Sequence, residues 1–137
     1  MQIYCLALKI LMKSKILVVD DSLDSRIYVS SILTEYDVIE AKSGEDALNI
    51  IAKENIDLLI TDYNMPQMDG FELVSEIKER NYEFPIIIIT SLTSLDKKKK
   101  MLRLGIDNYV YKPFFKEELI NIINRAIVYH KTVLSSK

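Results

Sequence analysis

The stretch Pro85-Ile86-Ile87-Ile88-Ile89-Thr90 decides the architecture. The residue ahead of a proline is pushed out of the helical region, so no helix runs into this segment. An unbroken isoleucine run leaves no wet face, which is the pattern of a parallel strand covered on both sides. Working outward, further short apolar runs lie at Leu58–Ile60, Val38–Ala41, Ile16–Val19 and Tyr109–Tyr111. Between them the apolar residues switch to helical spacing: Val29, Ile32, Leu33 and Tyr36, then Ala47, Ile50 and Ile51, then Leu73, Val74 and Ile77. Leu119, Ile122, Ile123, Ala126 and Ile127 form the clearest stripe, in the last segment. Ser43-Gly44-Glu45-Asp46 and Asp69-Gly70-Phe71-Glu72 carry helix-start signals, and Gly105 sits where the fourth helix should stop. Strands alternating with helices predict an α/β fold, a doubly wound parallel sheet with right-handed crossovers.

Composition narrows the function. The 137 residues predict one domain, with 49% apolar and 28% charged side chains. A net charge of −2 excludes a strongly basic nucleic-acid binder and an acidic disordered tail. Cys5 is the only cysteine, so neither an intrachain disulfide nor a cysteine-based zinc site can form. No apolar run reaches the roughly 18 residues of a membrane span, and the expectation is a soluble, cytoplasmic chain. Residues 1–13 stand apart as an apolar extension. They lack the charge and cleavage pattern of a secretory signal and are expected to be an upstream start or a docking helix, with the domain proper at 14–137.

In a parallel sheet of this kind, ligands bind beyond the carboxyl ends of the strands, near the switch point of the topology. The first strand ends in Asp20 and Asp21, the third in Asp62, the fourth in Thr90 and the fifth in Lys112. Converging carboxylates repel one another, and Lys112 offsets only part of that charge. Oxygen ligands in a small cluster suit Mg²⁺, which keeps several waters and leaves room for phosphate oxygens. An aspartate beside Mg²⁺ and a lysine is a nucleophile towards phosphorus, forming an acyl phosphate.

This set resembles the receiver domain of two-component response regulators. The loop Asp62-Tyr63-Asn64-Met65-Pro66-Gln67-Met68-Asp69-Gly70 matches the segment after that family's phosphoacceptor, and Tyr109-Val110-Tyr111-Lys112-Pro113-Phe114 matches its fifth strand and following turn. The resemblance runs from about Lys15 to about Val133. It implies a five-stranded flavodoxin/CheY-like (βα)5 sheet of order 2-1-3-4-5. It also implies that Asp62 is phosphorylated, and that Asp21, Asp62 and the Asn64 carbonyl hold Mg²⁺, with Asp20 reaching it through water. Thr90 would bond the phosphoryl group, Lys112 would pair with it, and Tyr109 would be the aromatic switch. The Lys112–Pro113 peptide is expected to be cis.

The implied function is a phosphoacceptor in a phosphorelay, and not a turnover enzyme. A histidine kinase or phosphotransfer protein would supply the phosphoryl group. The face of helix 4, strand 5 and helix 5 would then bind a downstream protein, the chain being a monomer or a phosphorylation-dependent dimer. The chain ends directly after helix 5 and is expected to be a stand-alone regulator or an excised receiver. Two other classes fit less well. A Mg²⁺-dependent phosphohydrolase with an aspartyl nucleophile would want Asp-x-Asp on strand 1. In a flavodoxin-like electron carrier, Asp20, Asp21 and Asp24 would repel the flavin phosphate. Lys97–Lys100 read as a solvated face of the fourth helix with a loose first turn, and His130 as a flanking surface residue. Leu92, two residues past Thr90, has no group to orient an attacking water, so the phosphorylated state is expected to last.

Overall fold

The computed structural model describes residues 13–91 and 94–135. The amino extension up to residue 12 and Leu92 therefore lie outside the described residues. Five strands alternate with five helices among those described: β1 (Lys15–Val19), α1 (Leu23–Ile32), β2 (Asp37–Ala41), α2 (Gly44–Lys53), β3 (Leu58–Asp62), α3 (Gly70–Glu79), β4 (Ile86–Thr90), α4 (Leu95–Arg103), β5 (Tyr109–Tyr111) and α5 (Lys116–Ser135). All pair in parallel, in the order β2-β1-β3-β4-β5. The chain leaves β1 for one edge and returns past it to β3, so the crevice lies between the carboxyl ends of those two strands.

Because side chains alternate across a strand, each strand feeds two cores. Ile16, Val18, Ile60, Ile87, Ile89 and Val110 pack with α1 and α5. Leu17, Val19, Leu59, Ile86 and Ile88 pack with α2, α3 and α4. Both faces of β1, β3 and β4 are dry, as their unbroken apolar runs require. β2 differs: only Ala41 is buried, and the strand lies at the edge of the sheet.

The helix stripes hold, with two adjustments. Leu33 is the carboxyl cap of α1 and Tyr36 lies beyond it in the turn, because the chain must bend there to enter β2. Leu48 joins Ala47 and Ile51 in the buried face of α2. The start signals act through their first residues: the Ser43 hydroxyl accepts from the Asp46 amide and the Asp69 carboxylate from the Glu72 amide. The Asp46 carboxylate reaches back to the Lys42 amide, one residue further than a capping box.

Helix α4 carries contacts that its spacing did not show. Its first turn is capped, with the Ser94 hydroxyl accepting from the Lys97 amide at 3.4 Å. Lys99 and Lys100 are exposed, as a solvated face requires, while Lys97 and Lys98 are half-buried. Lys97 lies over the Tyr63 ring at 5.0 Å, Lys98 over Tyr111 at 4.7 Å and Tyr109 at 5.9 Å, and Lys100 over Phe71 at 5.7 Å. An ammonium is attracted to the negative face of a ring, and a lysine's alkyl stem can cover apolar surface while its head stays wet. His130 is half-buried on α5.

Candidate functional site

Strands β1 and β3 deliver their last residues to the crevice side by side, since Val19 pairs with Thr61 in the ladder. One carboxylate oxygen each from Asp20, Asp21 and Asp62 come within 4.8 Å of one another. The neighbours Asp20 and Asp21 occupy opposite environments: Asp20 is buried and Asp21 exposed. Asp62, at the last position of β3, is half-buried.

Lys112 follows β5 and reaches across β4 to the cluster. Its Nζ donates to Asp62 Oδ2 at 3.2 Å and lies 3.7 Å from Asp20 Oδ2. Its backbone is fixed by a bond from its amide to the Thr90 carbonyl, and the Lys112–Pro113 peptide is cis. Burial pushes the Asp20 carboxyl above the usual aspartate range; the Ser22 amide and Lys112 oppose this, while Asp62 and Asp21 add to it. Asp20 also serves the entry to α1, since its Oδ1 accepts from the Ser22 amide at 2.9 Å.

Thr90 ends β4 fully buried, in register with Tyr111. Tyr109 begins β5, stacks on Tyr111 with ring centroids 6.2 Å apart, and has its hydroxyl buried without a hydrogen-bond partner. Asn64 is exposed in the loop after β3. The geometry therefore brings Asp20, Asp21, Asp62 and Lys112 together, with Thr90 beside them at the end of β4 and Tyr109 at the far edge of the sheet. A cavity of about 350 Å³ adjoins the site between α1 and the turn after β5, with Asp20, Tyr28, Lys112 and Phe114 in its walls.

Reading the sequence missed Arg26. Its guanidinium donates from Nη1 to the Asp20 carbonyl at 2.7 Å and from Nε to Glu40 Oε1 at 3.1 Å. No spacing signal could have exposed it, because one partner is a backbone atom and the other sits on a different strand.

The donor set fits a hard divalent cation. Three carboxylates meet beside a single ammonium and leave excess negative charge, and all the donors are oxygens. Among the described residues no helix is long and apolar enough to cross a membrane.

The chain is similar to known proteins over most of its length. The chain is 40% identical over 119 residues to the chemotaxis protein CheY homolog of Campylobacter jejuni, covering 80% of this chain and 92% of that one. It is 38% identical to the "Probable transcriptional regulator ycf27" of Porphyridium aerugineum over 78% of its own length, and spans only 45% of that longer protein. Among solved structures, chemotaxis protein CheY4 of Vibrio cholerae superposes with a TM-score of 0.77 at 37% identity, over 83% of this chain and 98% of that one. A response regulator receiver domain protein of Clostridium thermocellum gives 0.81 at 31% identity, over 88% and 98%. Residues 16–124 match the response regulator receiver domain itself. With five parallel strands in the order 2-1-3-4-5 and acidic residues gathered at their switch point, the chain belongs to the response regulator receiver domain family.

Proposed function

We propose that Asp62 is the phosphoacceptor of a two-component phosphorelay and that the molecule is a switch, with no substrate turned over. The observation that carries this reading is the placement of the Asp62 carboxylate, 3.2 Å from the Lys112 ammonium and grouped with the oxygens of Asp20 and Asp21. An Asp62 oxygen attacks the phosphorus of a phosphohistidine on a kinase or phosphotransfer protein. The P–N bond breaks, the imidazole leaves, and an acyl phosphate remains. Lys112 pairs with the incoming phosphoryl oxygens, and the Thr90 hydroxyl donates to one of them. Asp21, Asp62 and the Asn64 carbonyl would hold Mg²⁺, with Asp20 reaching it through water. The ion would supply charge neutralisation on the transferring group.

Output follows from Thr90 and Tyr109. Movement of the Thr90 hydroxyl towards the phosphoryl group alters the packing of Tyr109, and with it the face built from α4, β5 and α5. That face binds a downstream protein, as monomer or as phosphorylation-dependent dimer. Residues 14–137 form the receiver, residues 1–13 are an appended segment, and the setting is the cytoplasm. The net charge of −2 favours a protein target over direct contact with nucleic acid.

Incubation with a small phosphodonor and Mg²⁺, followed by intact mass measurement, tests the proposal. One base-labile adduct per chain is expected, abolished by Asp62→Asn and by excess chelator. Equal labelling of the variant would overturn the assignment. Continued release of phosphate without a persisting adduct would favour a phosphohydrolase instead.

A further inference from the structure

Four polar groups of Asp20 are held at once. Its amide donates to the Ala41 carbonyl at 3.1 Å, its Oδ1 accepts from the Ser22 amide at 2.9 Å, and its Oδ2 faces Lys112 at 3.7 Å. The fourth is its carbonyl oxygen, which takes the 2.7 Å bond from Arg26 Nη1. That bond is short and charge-assisted, the stronger class of hydrogen bond. The Arg26 side chain is only 14% exposed and is fixed at its other edge by Glu40 on β2.

Asp21 is held quite differently. Among the described residues no hydrogen bond or ion pair restrains its exposed carboxylate. Its side chain is therefore aimed by its own backbone. The peptide joining Asp20 to Asp21 is planar, so fixing the Asp20 oxygen fixes the Asp21 amide and the plane from which Asp21 departs. Arg26 holds that oxygen, and Glu40 holds Arg26 against the edge strand.

We infer that Arg26, braced by Glu40, is a positioning residue that aims Asp21 into the acidic cluster and thereby sets its affinity for Mg²⁺. The inference rests on the reading of the cluster as a Mg²⁺ site. Partners one bond removed from metal ligands typically change metal affinity 10- to 100-fold when removed. The sign separates this role from simple electrostatics. Arg26 is a cation touching the turn that carries two of the carboxylates, so by Coulomb's law its removal strengthens binding of Mg²⁺. As a positioning residue its removal weakens binding.

The experiment is calorimetric titration of the full chain with magnesium chloride alone, for wild type, Arg26→Gln and Arg26→Lys, with thermal unfolding of each metal-free protein as the check on folding. Arg26→Gln is expected to bind Mg²⁺ about tenfold more weakly. Arg26→Lys keeps the charge but lacks the fork that holds Asp20 and Glu40 together, so it too should bind at least about threefold more weakly. Should the glutamine variant fail to fold, the lysine variant decides. Folded variants that bind Mg²⁺ as tightly as wild type, or more tightly, overturn the inference alone. A wild-type chain that binds no Mg²⁺ overturns the metal-site reading and this inference with it.

Discussion

At the scale of single residues, the site is a compromise between stability and charge. Asp20 is buried with its carboxyl pushed above the usual range, first by desolvation. The folded state thus holds the Asp20 proton to higher pH than the unfolded chain does. Stability is therefore lost as pH rises from the ordinary aspartate range through the raised value, and the loss persists at neutral pH. Asp20→Asn keeps an oxygen for the Ser22 amide and removes the charge. The metal-free variant should melt a few degrees higher than wild type at pH 7, a stabilisation on the order of 1 kcal/mol. The gap should narrow as pH falls towards 4, and saturating Mg²⁺ should shrink it by stabilising wild type more. Melting curves at two pH values, with and without Mg²⁺, check both signs.

Elements are positioned by close approaches that only particular residues permit. Gly70 opens α3 against the loop that leaves Asp62: its amide donates to the Tyr63 carbonyl at 2.7 Å. A Cβ there would lie 2.8 Å from the Asp62 carbonyl oxygen and 2.9 Å from Tyr63 Cα, both backbone atoms that cannot step aside. Gly70→Ala is expected to cost about 2 kcal/mol in urea unfolding and to slow phosphoryl uptake by displacing Asp62. Gly44→Ala is the contrast, because the added carbon would meet the flexible Met68 side chain at 2.6 Å. Its cost should be smaller and phosphoryl uptake unaffected.

Over the whole molecule, mobility should be greatest where burial is thinnest. Helix α4 has Met101 as its one buried residue, whereas α3 buries Gly70, Leu73, Val74 and Ile77. Its other anchors are lysines over rings, including Tyr63 next to Asp62, and Tyr109 and Tyr111 on β5. Movement is expected in α4 because few apolar contacts oppose its opening. Comparison of amide exchange with and without a phosphoryl mimic at Asp62 should show altered protection in α4 and at Tyr109. A ligand shifts such an equilibrium only through its differential affinity for two existing states. Changes confined to the loops after β1 and β3 would count against coupling between Asp62 and the α4–β5–α5 face.

The sequence by itself determined the layering and the chemical inventory. The isoleucine run of β4 has no wet side, so it had to be sandwiched. Asp62 and Thr90 end strands and Asp20, Asp21 and Lys112 directly follow them, so a parallel sheet had to gather all five at one edge. Periodicity carries that information because it is local. It could not show that Asp20 is buried and Asp21 exposed, since their difference comes from which neighbour each meets across the sheet. Nor could it show α4's lysines lying on rings from β5, α3 and the loop after β3. The bond from Arg26 to the Asp20 carbonyl was equally hidden, because a backbone oxygen leaves no trace in residue type. Those contacts join segments far apart in the chain or end on main-chain atoms, and only the packed tertiary structure decides them.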